Sequence, residues 1–290
     1  MEAFRNKAAI VTGGASGIGK ALCQQLGRSG ADLTVTDING EGAQDVAARI
    51  RDAGGRAVAV KLDVTIEPDV RALVEQTAAG KGRLDYMFNN AGIGIGGEVQ
   101  DLSLDHWRRI VDVNLWGVLY GTLAAYQVMI RQGSGHIVNT SSSAGLLPAP
   151  LLTAYGMTKH GVLGLSVGLR AEGAGKGVKV SVACPGFIDT PIFDVTTYVK
   201  TSKELTWSLL PPWLRMMSAE DCARAILKGV ARNRGIIPVQ SPAFIMWWLN
   251  RINPRILDAQ MQKMVAKYRK TRGERTQNPS PGGTGPRSGV

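Results

Sequence analysis

Three side chains within a stretch of eighteen residues could together move a proton beside an oxidisable carbon: Ser142, Tyr155 and Lys159. Tyr155 and Lys159 are four apart, so on a helix they project from one face. A phenol titrates near ~10 in water, too high for a base at neutral pH. A neighbouring ammonium favours the phenolate and brings the phenol toward working range. Ser142 stands thirteen positions before Tyr155, at the end of an apolar run, where its hydroxyl can hydrogen-bond a substrate oxygen. Far upstream lies a glycine-rich turn, Thr12-Gly13-Gly14-Ala15-Ser16-Gly17-Ile18-Gly19, that suits a dinucleotide. Such a turn with such a triplet fits hydride and proton exchange between an alcohol and a ketone.

The glycine spacing, Gly13-x3-Gly17-x-Gly19, departs from the GxGxxG pattern but serves similar physics. Glycines permit the tight turn and let the backbone approach a pyrophosphate, which then sits at a helix N-terminus. Ser16 and Ile18 lie inside this cradle. Asp37 ends the second apolar run, 18 residues past Gly19. A carboxylate there accepts hydrogen bonds from ribose hydroxyls and repels a 2′-phosphate. Neither Ser16 nor Ile38 supplies a positive charge for that phosphate, so NAD is expected in preference to NADP. Asp63 and Val64, at the end of the third run, are placed to contact the adenine.

These positions require a particular scaffold. Short apolar runs at 8–11, 33–36, 57–62, 84–88, 136–140 and 178–183 alternate with helical stretches, the longest expected at about 104–131 and 154–174. A helix over 218–231 and a short strand at Ile236-Ile237 close the pattern. Apolar strands interleaved with helices predict an α/β fold: a Rossmann-like doubly wound parallel sheet of about seven strands, helices on both faces. Every motif falls at the carboxyl end of a strand, where such sheets bind ligands. The expected organisation is a dinucleotide-binding and catalytic domain over 1–240, with an irregular lid at about 187–217. An apolar and basic amphipathic extension follows at 241–270, then a disordered tail at 271–290.

The ordered motifs resemble those of the short-chain dehydrogenase/reductase family in its single-domain form. They are TGGASGIG (12–19), Asp37, DV (63–64), NNAG (89–92), Asn114 within VDVNLWG, SSSAG (141–145), YGMTK (155–159) and PGFIDTP (185–191). The resemblance covers roughly 5–238. It implies that Tyr155 is the general acid/base, that Lys159 lowers its pKa and binds the nicotinamide ribose, and that Ser142 stabilises the developing alkoxide. Family spacing selects Ser142 from the three consecutive serines, leaving Ser143 a minor candidate. The resemblance further implies that Asn114 holds a main-chain kink and a proton-relay water. Asn90, with Ala91 and Gly92, supports the sheet beside the cofactor. Beyond Pro185 and Gly186, the Ile188 backbone and the Thr190 hydroxyl hold the carboxamide. A homo-oligomer, tetramer or dimer, is also implied.

Bulk properties agree. The 290 residues carry 36 glycines, 44% hydrophobic residues and a net charge of +11, but residues 251–290 alone contribute +7. The excess is a feature of the C-terminal segment rather than a basic groove, which argues against a specific nucleic-acid partner. Cys23, Cys184 and Cys222 show no disulfide or metal spacing, and His106, His136 and His160 are dispersed, so no metal site is expected. With no room for a signal peptide before the first strand, the expected location is cytoplasmic.

The substrate walls are expected from Ile93 to Gly97, from Leu146 to Leu152, and from Ile192, Phe193, Val195, Tyr198, Trp207, Leu209, Leu210 and Trp213 in the lid. Few charges among them favour a small hydrophobic substrate: a steroid-, retinoid- or lipid-like secondary alcohol or its ketone. The alternatives are a 3-oxoacyl thioester reductase receiving an acidic carrier protein, and a nucleotide-binding module without chemistry. Leu257, Met261, Met264 or Val265, and Tyr268 recur at helical spacing among basic residues. That helix either packs over the pocket or at a subunit contact, or makes peripheral contact with an anionic membrane.

Overall fold

The apolar runs form strands because each is flanked by turn residues; the inner ones are buried on both faces, while the run at 57–62, at the sheet edge, is largely exposed. In a computed structural model, which describes residues 1–209 and 215–277, the principal strands are β1 (Ala8–Thr12), β2 (Asp32–Asp37), β3 (Arg56–Lys61), β4 (Tyr86–Asn89), β6 (Gly135–Thr140), β7 (Val178–Cys184) and β11 (Ile236–Pro238). Short strands β5 (Ile95–Gly96), β8 (Ile188–Asp189), β9 (Thr197–Tyr198) and β10 (Met217–Ser218) lie between them. The seven principal strands form one parallel sheet in the order β11-β7-β6-β4-β1-β2-β3. The order reverses between β1 and β4, so the ligand crevice opens beyond Thr12 and Asn89.

Among the described residues, eleven α-helices accompany this sheet: α1 (Gly17–Arg28), α2 (Gly40–Asp52), α3 (Glu67–Lys81), α4 (Leu104–Val111), α5 (Gly117–Gln132), α6 (Thr153–Ala174), α7 (Ile192–Val195), α8 (Lys203–Trp207), α9 (Ala219–Ala231), α10 (Ser241–Ile252) and α11 (Pro254–Gln277). Alternation along β1 divides the core. Ala9 and Val11 pack with Leu22, Leu26, Val46, Ile50 and Ile226 from α1, α2 and α9. Ile10 packs with Val70, Leu73, Ala125 and Met129 from α3 and α5 on the other face.

The long helix expected at 104–131 is interrupted by a π-turn, Asp112–Trp116, centred on Asn114. Its Leu104–Gln132 span is long and apolar enough to cross a bilayer, but half of its most apolar window is buried within the fold. The lid has small parallel pairings that two-residue patterns do not announce. Ile188 pairs with Met217, clamping the roots of the insert, and Ile95 pairs with Thr197.

The C-terminal helix also corrects the sequence expectation. α11 runs to Gln277 rather than ending at 270, and Arg272 is fastened to Asp101 at 2.9 Å, so tertiary contacts order the start of the expected tail. The rest of that tail, with Leu210 and Trp213, lies outside the described residues.

A buried polar network braces the sheet beneath the crevice. Asn89 donates to Asn139 Oδ1 at 2.8 Å, Thr122 donates to the same oxygen at 3.2 Å, and Asn139 donates to Ser166 Oγ at 3.0 Å. Removing one member strands the others without water. Asn139→Ala is expected to cost about 2–3 kcal/mol of stability, measured as a lowered urea midpoint; an unchanged midpoint would show the network to be dispensable.

Candidate active site

The glycine turn is a backbone-to-backbone joint. Gly13 and Gly17 have φ of +66° and +50°, a region that disfavours side chains. A Cβ on Gly19 would overlap the Gly13 carbonyl and come within 2.6 Å of Asn90 Nδ2. Thr12 accepts from the backbone N–H groups of Asn90 and Ala91, both at 3.0 Å, while Asn90 Nδ2 donates to the Thr12 carbonyl at 3.1 Å. Thr12 therefore welds the turn to the end of β4. The sequence reading gave it no role, although a hydroxyl at a strand end before a glycine run was a usable signal. Ser16 makes no side-chain cap, leaving the first-turn N–H groups of α1 free of one. Asp37 is fixed by the backbone N–H groups of Ala15 at 3.0 Å and Asn39 at 2.9 Å.

From this turn a single cleft of about 1320 Å³ extends to Ser142, Tyr155 and Lys159. Every proposed cofactor residue lines it: Gly13, Ser16, Gly17, Ile18, Gly19, Asp37, Asp63, Val64, Asn90, Ala91, Gly92, Pro185, Gly186, Ile188 and Thr190. Thr190 lies over the turn, its Cβ 3.1 Å from where a Gly17 Cβ would be. The cradle and the uncapped helix start fit a pyrophosphate, and the fixed carboxylate fits a ribose, so the cleft can accommodate a nicotinamide dinucleotide.

Lys159 is nearly buried and donates to the Thr140 carbonyl at 3.0 Å, with its Nζ 5.5 Å from the Tyr155 ring centre. Burial holds its pKa down to about 8. Burial also pushes the Tyr155 phenol up, and the Ser142 hydroxyl draws it partly back. The neighbouring ammonium favours the phenolate, but burial of both groups in one dry pocket works against it and is the larger effect. Ser141 and Ser142 both line the cleft, but the Ser141 hydroxyl is committed, donating at 2.7 Å to the Lys159 carbonyl and bracing α6. Ser143 also reaches the cleft wall.

Asn114 is fully buried behind the cleft and does not line it. Its Oδ1 accepts from Ile93 N at 2.8 Å and its Nδ2 donates to Ile93 O at 2.9 Å, fixing the segment after Gly92. Cys184 is also absent from the wall; burial pushes its thiol up to about 12.

The substrate end is formed by Ile93 and Gly94, Leu147 to Leu152, and Ile192, Phe193, Val195, Tyr198, Trp207 and Leu209. Ile95 and Leu146 turn inward instead, Ile95 against Ile110 and Ala154, Leu146 against Val118 and Val162. Charges are more numerous around the cleft than expected, since α4 contributes Asp105, Arg108 and Arg109, with Asp112 following. Asp105 and Arg108 pair in solvent at 2.9 Å. Met261 and Met264 of α11 complete the wall.

Comparisons with known proteins agree with this architecture. The short chain dehydrogenase family model matches residues 7–198. Cyclohexanol dehydrogenase from Acinetobacter sp. (strain SE19) is 40% identical over 224 residues, covering 77% of this chain and 87% of the relative. Cis-4-hydroxycyclohexanecarboxylate dehydrogenase from Sinomonas cyclohexanicum is 37% identical over 226 residues, covering 78% and 89%. A short-chain dehydrogenase/reductase from Burkholderia phymatum, crystallised in complex with NAD, superposes with a TM-score of 0.77 at 27% identity, covering 88% of this chain and 96% of that one. The chain belongs to the short-chain dehydrogenase family: it is an oxidoreductase of alcohol groups with a Rossmann-like fold and a nicotinamide cofactor.

Proposed function

For this short-chain dehydrogenase, we propose NAD-dependent interconversion of a hydrophobic secondary alcohol and its ketone, a ring alcohol being the favoured substrate. The observation that carries the reading is the placement of Tyr155, Ser142 and Lys159 at one end of a cleft whose substrate walls are largely apolar. The names of the two curated relatives favour a cyclohexanol-like ring among the steroid-, retinoid- and lipid-like alternatives.

A bound nicotinamide supplies the hydride acceptor. Tyr155 Oη takes the alcohol proton, and the Ser142 hydroxyl donates to the same substrate oxygen as charge builds there. Lys159, held by Thr140, balances the phenolate and binds the ribose. Asn114 acts through the backbone, because its amide is committed to Ile93 and the π-turn around it kinks the main chain there. Ile188 and Thr190 hold the carboxamide.

Burial raises the Tyr155 phenol, and the Lys159 ammonium, itself held down to about 8, favours the phenolate. Alcohol oxidation, as kcat/KM, is therefore expected to rise with pH through neutrality as the phenol gives up its proton, with ketone reduction falling. Tyr155→Phe should lose about 10²–10⁴-fold in kcat while NAD still binds; undiminished turnover would remove Tyr155 as the base.

Asp37 supports NAD over NADP. Lys61, its register partner on β3, packs its stem along Gly40 and does not line the cleft. Asp37→Ala should lower the NAD to NADP preference by at least about tenfold; an unchanged ratio would assign selection elsewhere.

Two surface features support the wider reading. Trp116, Leu123 and Val167 are half-exposed on and beside the long helices α5 and α6, fitting self-association. On α10, Ile245, Trp248, Leu249 and Ile252 form an exposed stripe at helical spacing, with Arg251 over the Trp247 ring at 5.0 Å. An apolar, tryptophan-bearing, basic face suits an anionic membrane surface. The buried thiols of Cys23, Cys184 and Cys222 fit a reducing cytoplasm. Sedimentation should show a dimer or tetramer that Leu123→Glu breaks, and anionic vesicles should float the full chain but not Trp248→Glu. A monomeric wild type would end the first idea, and equal flotation the second.

A further inference from the structure

The C-terminal helix is tied to the substrate end of the cleft at two places. Tyr268 is fully buried against Leu151 and Leu205, beside Leu209 of the lid. One residue further along, the tie becomes ionic. Arg269 donates to Glu98 Oε1 at 2.7 Å, and Arg272 Nη1 reaches Glu98 Oε2 at 3.3 Å and Asp101 Oδ2 at 2.9 Å. Lys200, in the lid, pairs with the other Asp101 oxygen at 3.2 Å. The two carboxylates therefore join three segments remote in sequence: the turn after β5, the lid after β9, and α11.

This network differs from an ordinary surface cluster, whose pairs contribute little. The Glu98 and Asp101 side chains are each only 9% exposed, and losing Arg272 would leave each with a single cation, Arg269 or Lys200. The Arg272 hydrogen bond holds the Asp101 carboxyl below the usual carboxylate range. Leu257, Met261, Met264 and Tyr268 recur at three- and four-residue steps, so they share one face of α11. Leu257 and Tyr268 anchor that face, and the methionines between them line the cleft.

We propose that α11 is the roof of the substrate chamber, that Met261 and Met264 set the size limit for the group beside the reacting carbon, and that Arg272 is the positioning residue holding the roof by bridging Glu98 and Asp101. Methionine suits this place because its unbranched side chain fills irregular space around different ring substituents. The idea deepens the ring-alcohol reading and rests on it for the choice of substrates.

The test compares cyclohexanol with a bicyclic alcohol, 2-decalol, in the full-length wild type, Met261→Ala, Met264→Ala and Arg272→Gln. Either methionine variant should raise the 2-decalol to cyclohexanol ratio of kcat/KM by roughly tenfold. Arg272→Gln should raise KM for cyclohexanol about three- to tenfold with little change in kcat or in NADH affinity. Arg272→Lys should recover part of that loss, since an ammonium pairs with one carboxylate but does not bridge two as a guanidinium fork does. Amide exchange across residues 257–272 should accelerate in Arg272→Gln while the β1–β4 core stays protected. If Arg272→Gln does not fold, the double variant Glu98→Gln/Arg272→Gln removes a carboxylate along with its cation and carries the same measurements. An unchanged substrate ratio in both methionine variants overturns the roof, and unchanged exchange with unchanged KM overturns the latch. Failure of the ring-alcohol reading looks different: the wild type is silent on both alcohols, and the exchange measurement still decides the latch.

Discussion

The buried ammonium of Lys159 is the constraint around which this site is organised. A lysine so desolvated needs a fixed acceptor, and the Thr140 carbonyl at the end of β6 provides it at 3.0 Å. The connection beyond β6 then has to lie against α6. Ser141 donates to the Lys159 carbonyl, and Gly145 packs so closely that a Cβ would come within 2.6 Å of the same oxygen. That contact leaves Ser142 facing the cleft beside Tyr155. Serine, tyrosine and lysine are thus positioned by one strand end meeting one helix, with the dry environment setting both titrations.

The same logic governs the cofactor end, where backbone approaches backbone. Thr12 and Asn90 exchange hydrogen bonds across β1 and β4, the two strands between which the sheet order reverses. Glycine at 13, 17 and 19 is what permits the approach. Beneath, hydrogen bonds link Asn89, Thr122, Asn139 and Ser166, so the strand ends carrying both halves of the site are braced from within. Asn114 adds a third brace through Ile93, linking the π-turn to the segment after Gly92.

The substrate end is built differently. Its walls come from an insert between β7 and α9, from the turn after β5 and from α11, elements held by two-residue strand pairings, one buried tyrosine and a few ion pairs. Such walls can vary without disturbing the sheet, which fits a family scaffold whose chemistry is fixed while the substrate is chosen by loops.

The sequence by itself determined the alternating α/β sheet, the glycine cradle and the positions of Ser142, Tyr155, Lys159 and Asp37. These depend on local periodicity, strand-end placement and spacing along one helix face, all of which are written within short windows. Tertiary structure alone decided that burial, rather than the neighbouring ammonium, dominates the Tyr155 phenol, because desolvation depends on everything packed around it. It also decided that Asn114 stands behind the cleft rather than in its wall, and that Ile95 and Leu146 face the core. The reach of α11 to Gln277 was likewise unreadable: 271–277 is polar and lacks an apolar repeat, and its order comes with Arg272 meeting carboxylates more than 170 positions earlier. Contacts at that separation leave no period in the chain, so no local pattern could announce them.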